Sequence, residues 1–133
     1  MFNKILRVII AVKDIQEAVK VYTDIFGLQV SRSESRPDLG IKNALLPVGD
    51  DIIEFIEPLD PQQGPVKKFL ETRGEGLYQL EIEVDSIDSA VKSLSDKGVR
   101  LIAADPESRA KGGPVWIHPQ SAKGVLIQLV PKS

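Results

Sequence analysis

The fold class this sequence predicts is α+β, built as two tandem βαβββ modules whose curved sheets form a shared cleft. Three observations lead there. First, the stretch Lys4 to Gly27 (KILRVIIAVKDIQEAVKVYTDIFG) returns as Leu77 to Gly98 (LYQLEIEVDSIDSAVKSLSDKG), with Val12 falling on Val84, Ile15 on Ile87, Ala18 on Ala90 and Val19 on Val91. Second, each copy changes from strand alternation to helical spacing at the same place. Third, strand-like runs follow each helix. A repeat unit this long and only twofold is no solenoid, which stacks about three or more units of roughly 20 to 50 residues. It implies two halves closing on each other within one domain of 133 residues.

The halves are 1–58 and 77–133, with 59–76 as a linker holding a short helix. From Lys4 to Val12, Leu6, Val8, Ile10 and Val12 share one face of a strand, while Ile5, Arg7, Ile9 and Ala11 share the other. Asp14 and Glu17 give a capping-box spacing. Ile15, Ala18, Val19, Tyr22, Ile25 and Phe26 then make a helical apolar stripe that stops at Gly27. Leu28 to Ser33 reads as a strand, Ser35 to Gly40 as a polar loop, Ile41 to Val48 and Asp51 to Glu57 as strands around the Gly49-Asp50 turn. In the linker, Pro65 suits a first helical position, with Val66, Phe69 and Leu70 on one face. The second half repeats the order: a strand at Leu77 to Val84, a helix at Ile87 to Lys97, and a strand at Val99 to Ala103. A loop at Asp105 to Gly113 then leads to strands at Pro114 to His118 and Gly124 to Val130.

Bulk composition excludes several function classes. With 17 basic and 19 acidic residues the net charge is -2, which gives no electrostatic reason to expect nucleic acid or an anionic membrane. Cysteine is absent, and with it disulfides, thiolate metal sites and a cysteine nucleophile. No run has the roughly 18 apolar residues of a membrane span, and the opening residues lack a signal-peptide pattern. A cytoplasmic protein that binds a small molecule is the expectation.

Polar misfits locate the site. Arg7 plus one repeat is Gln79, and Glu54 in Ile53-Glu54-Phe55 matches Gln128 in Ile127-Gln128-Leu129. Each interrupts an otherwise apolar strand face, and each, buried without a partner, would cost roughly 1 to 3 kcal/mol. They are expected to pair or to bind something. Glu81 and Glu83, on the same face as Gln79, are candidate proton acceptors, set against the alternative that they lie at an open rim. Trp116 and His118 share a strand face and are candidate ligand contacts; His118 is also the one histidine. Lys67, Lys68 and Arg73 could meet a phosphate-bearing ligand or simply face solvent.

The runs RVIIAVKDIQEAVKVYTDIFGLQV, IEFIEPL, GPVKKFLETRGEG, LYQLEIEVDSIDSAV and WIHPQSAKGVLIQLV resemble the vicinal oxygen chelate superfamily of glyoxalases, bleomycin-resistance proteins and extradiol dioxygenases. Within it they look most like the methylmalonyl-CoA epimerases. The resemblance implies a glyoxalase-like fold, a homodimer, and a cleft in which one residue from each of four strands holds a divalent metal. Those positions here are Arg7, Glu54, Gln79 and Gln128. Arginine has no lone pair to give a cation, and both usual imidazoles are absent. The expectation is therefore a degenerate metal site with no cofactor, and with Arg7 and Glu54 as the catalytic pair. Arg7, Glu54, Gln79, Gln128, Trp116 and His118 are then the ligand-binding set for an acyl-CoA or carboxylate. The same residues leave three functions open: a binding protein or metal-independent isomerase or lyase, a metal-dependent epimerase that uses Glu54, and a drug-sequestering protein.

Overall fold

The computed structural model describes residues 1–133 and divides by packing into two compact units, Arg7–Tyr78 and Met1–Leu6 with Gln79–Ser133. In the first, the part of β1 (Phe2–Ala11) from Arg7 onward leads to α1 (Ile15–Asp24), β2 (Arg32–Arg36), β3 (Ile41–Val48), β4 (Asp51–Pro58) and α2 (Pro65–Arg73). Strand order is β2-β3-β4-β1, with β1 parallel to β4 and the other pairs antiparallel. The period-2 pattern sorts side chains as expected. Val12, Ala44, Leu46 and Phe55 pack beneath Ile15, Ala18, Val19 and Tyr22 of α1. On the opposite face Ile9, Ala11, Ile41 and Ile56 pack against Val66 and Leu70 of α2. The segment read as a linker thus supplies the cover for one face of this unit.

The second unit holds β5 (Gly76–Val84), α3 (Ile87–Asp96), β6 (Leu101–Ile102), α4 (Pro106–Ala110), β7 (Val115–Ile117) and β8 (Leu126–Pro131). Its order is β5-β8-β7-β6, again one parallel pair followed by antiparallel ones. Ile87, Ala90 and Leu94 of α3 bury themselves against Val84, Val115, Ile117 and Leu129. Both units therefore carry out the βαβββ order read from the repeat. Both main helices also start on a side-chain cap, as their sequences require. Asp14 accepts the backbone N–H groups of Gln16 and Glu17, and Ser86 accepts that of Ser89. No helix is long and apolar enough to cross a membrane.

Three expectations are corrected. The strand expected at Leu28 to Ser33 lies instead at Arg32–Arg36, overlapping the expected range at Arg32 and Ser33 and running into the stretch from Ser35 read as a polar loop. It is an edge strand bonded only to β3 and largely exposed, so nothing selects apolar residues there. The strand expected over Val99 to Ala103 shrinks to Leu101–Ile102, because Ala103 takes φ 62°, which a strand cannot accommodate. The loop Asp105 to Gly113 contains α4, started by Asp105, which accepts the Ser108 N–H, and by Pro106 in the first turn.

Candidate functional site

Each unit gathers the polar misfits of its own strands. In the first, Arg7 on β1 donates from Nη1 to Oε1 of Glu54 on β4 at 3.0 Å. The adjacency follows from parallel pairing, in which Ile9 lies opposite Glu54 and Arg7 is one same-face position away. Glu54 is deeply placed, its side chain 6% exposed against 31% for Arg7. Asn43 on β3 donates Nδ2 to the other carboxylate oxygen of Glu54 at 3.3 Å. Both oxygens of Glu54 are thus held by donors. Asn43 Oδ1 is buried without a hydrogen-bond partner. The sequence reading missed Asn43, although its signal was present: it is the polar interruption on the Ile41, Asn43, Leu45 face of β3, detectable by the alternation that found Glu54.

In the second unit the misfits form a chain of neutral groups. Trp116 on β7 donates its indole N–H to Oε1 of Gln79 on β5 at 3.2 Å. Gln79 donates Nε2 to Oε1 of Gln128 on β8 at 2.8 Å. Register explains the meeting: Trp116 is paired with Gln128 across β7 and β8. Glu81 is paired with Gln128 across β5 and β8. Glu83 instead accepts from Asn3 Nδ2 at 3.2 Å on an exposed stretch, the rim role weighed for it.

His118 has a local role. Its Nδ1 accepts the Gln120 N–H at 2.9 Å and caps the single 3-10 turn Pro119–Ser121. Neutral His118 therefore carries its proton on Nε2. Lys67 pairs with Glu71 at 2.7 Å, and the Arg73 guanidinium lies 5.8 Å over the Phe69 ring. Lys67 and Glu71 also line, with Lys13, Glu57 and Leu70, a depression of about 360 Å³ in the first unit. Near it, burial raises the Tyr78 phenol above its ordinary pKa.

The model of the glyoxalase/bleomycin resistance protein/dioxygenase superfamily matches residues 7–116. This chain belongs to that superfamily. Among its members, human mitochondrial methylmalonyl-CoA epimerase is 33% identical over 129 residues, covering 96% of this chain and 73% of the human protein. The crystal structure of the Mycobacterium tuberculosis methylmalonyl-CoA epimerase is 34% identical, covers 97% of this chain and 87% of that one, and superposes with a TM-score of 0.79. A variant of the Streptomyces coelicolor methylmalonyl-CoA epimerase, in complex with 2-nitronate-propionyl-CoA, is 25% identical over all of this chain and 99% of its own, with a TM-score of 0.84. These superpositions bear out the α+β glyoxalase-like fold, and the chain is closely related to the methylmalonyl-CoA epimerases.

That relationship corrects the expectation that no cofactor is used. The matching members include methylmalonyl-CoA epimerases, the group for which the sequence resemblance implies a divalent ion, and this relationship points to a metal cofactor here. The residues present fit the superfamily's four-ligand centre poorly. No group of three or more His, Cys, Asp or Glu side chains comes together. Glu54 is the one anionic oxygen ligand at the four positions and already holds Arg7, while the amide oxygens of Gln79 and Gln128 accept hydrogen bonds. Oxygen donors of this kind suit a hard ion such as Mg²⁺ or Mn²⁺ better than Zn²⁺.

Proposed function

We propose that this protein is an isomerase of the superfamily that epimerises a carboxylated acyl-CoA of the methylmalonyl-CoA kind. The observation that carries the reading is the near full-length similarity to methylmalonyl-CoA epimerases. The substrate's C2 lies between a thioester carbonyl and a carboxylate. Breaking the C2–H bond puts the electron pair into an enolate whose charge rests on the thioester oxygen. In this reading the Glu81 carboxylate takes the proton, and the N–H donors of its cross-strand neighbour Gln128 stabilise the oxygen charge. Water delivers a proton to the opposite face of C2, which inverts the centre, and Glu81 returns its proton to the resulting hydroxide. A small-molecule ligand and a homodimer belong to the same proposal, and light scattering separates a dimer from the 14.6 kDa monomer.

The test is deuterium incorporation at C2 of methylmalonyl-CoA in deuterated water, followed by mass spectrometry with Mg²⁺, Mn²⁺ or Co²⁺ added. Exchange that disappears in Glu81→Gln, with binding retained, is the expected result. A second reading, ligand binding without turnover, is favoured by Glu54, whose two oxygens are both committed to Arg7 and Asn43. Saturable binding with no exchange under any ion decides for that reading, and sequestration of a drug then becomes its special case.

A further inference from the structure

We infer that Trp116 is a positioning residue that sets the direction of the Gln79–Gln128 amide chain, so that the second unit offers its ligand an N–H donor. Recognition there is of an acceptor oxygen, carboxylate or thioester carbonyl. An indole N–H can only donate. The Gln79 atom 3.2 Å from it is therefore the carbonyl oxygen, which puts the Gln79 NH₂ on the other side. An NH₂ group can only donate, so the Gln128 atom at 2.8 Å is likewise oxygen. One obligate donor thereby fixes two amide orientations in series. The terminus of the chain is the Gln128 NH₂, which makes no hydrogen bond and is not among the sealed polar atoms, so solvent or a ligand reaches it.

In the reverse chain, which the Trp116 N–H opposes, the Gln128 NH₂ donates to Gln79 and its carbonyl is the free end. The two directions recognise opposite chemistry. The identity of the ligand rests on the epimerase reading; the direction of the chain does not. Two experiments keep the failures apart.

The first uses the ligand-free protein and ¹⁵N NMR. The Gln79 side-chain amide is expected to show slowed hydrogen exchange and the Gln128 side-chain amide fast exchange, with the contrast lost in Trp116→Phe. Slowed exchange at Gln128 with fast exchange at Gln79 overturns the assignment, as does a contrast that survives Trp116→Phe. The second titrates methylmalonyl-CoA into wild type, Gln128→Glu, Trp116→Phe and the double variant by calorimetry. Replacing the donor NH₂ by a carboxylate of the same size is expected to weaken binding about tenfold or more, the size of a hydrogen bond to a charged group. Trp116→Phe is expected to weaken binding in the wild-type background and to add nothing in Gln128→Glu, because it acts through Gln128. Gln128→Glu binding as well as wild type, or additive losses in the double variant, overturns the inference. Absence of binding to wild type counts against the epimerase reading alone, and the exchange contrast then decides the direction by itself.

Discussion

Arg7 and Glu54 occupy on β1 and β4 the places that Gln79 and Gln128 hold on β5 and β8, yet the first pair is charged with Glu54 buried, and the second is neutral and half-exposed. The parallel strand pairing is the same in both units, so the backbone is not the source of the difference. A buried carboxylate must be matched in charge or it destabilises the fold, which ties Arg7 and Glu54 to each other. Amides carry no such obligation. What they carry instead is direction, and direction needs a third group to set it. One unit has fixed a charge and the other an orientation, from equivalent positions in one repeated fold.

The largest expected effect breaks the charged side of this comparison. Arg7→Ala leaves the buried Glu54 carboxylate with the Asn43 amide as its donor and is expected to lower stability by about 3 kcal/mol, the lower end for breaking a buried pair because Arg7 is itself partly exposed. Urea denaturation measures it. Replacing both by Met removes the unmatched charge and should recover most of the loss; a double variant as unstable as Arg7→Ala would assign the cost to something other than the pair.

A smaller effect compares the two helix starts. Asp14 accepts two backbone N–H groups where Ser86 accepts one. Asp14→Ala should therefore cost about 1 kcal/mol and Ser86→Ala about 0.5 kcal/mol, by thermal unfolding of each. Equal losses would mean that the number of bonds made by the cap does not govern its contribution.

The smallest effect is confined to the second unit, whose α4 has no counterpart in the first. The Ser108 hydroxyl, and then its backbone N–H, hold the exposed Asp105 carboxyl below the usual carboxylate range. The folded pKa lies below the unfolded one, so the contribution of this cap is complete above the ordinary aspartate pKa and is lost as pH falls through the depressed value. The Ser108 amide resonance should follow that titration, and Asp105→Asn should abolish it. Movement of the resonance only above the ordinary aspartate range would contradict the sign.

Most of the site was legible because alternation is a strong constraint: a polar residue such as Glu54 or Gln128 cannot enter an apolar face unnoticed. The partners were legible only as far as the repeat aligned them. Asn43 escaped because the repeat offers no polar equivalent to flag it, and the direction of the amide chain escaped because it depends on Trp116, two strands away from Gln79 in the order of the unit. Elements without a buried face were misplaced. The sequence RSESR of β2 has no apolar period to read, and the Asp105-Pro106 start of α4 was a signal that five helical residues and the following Gly112-Gly113 pair obscured. His118 is a residue type that invites chemistry, and its Nδ1 is engaged in a turn.

Glu57 gives the first helix a start that no local sequence contains. Its Oε1 accepts the Ile15 N–H at 2.8 Å and its Oε2 pairs with Lys42 at 3.0 Å, so a side chain from β4 finishes the first turn of α1 from across 42 residues of chain. Asp14 can close its two bonds in a short peptide; the third waits for the strand to arrive. The N-terminal turn of α1 is thereby a recorder of assembly order, with an Ile15 amide whose protection against exchange appears when β4 docks and not when the helix coils.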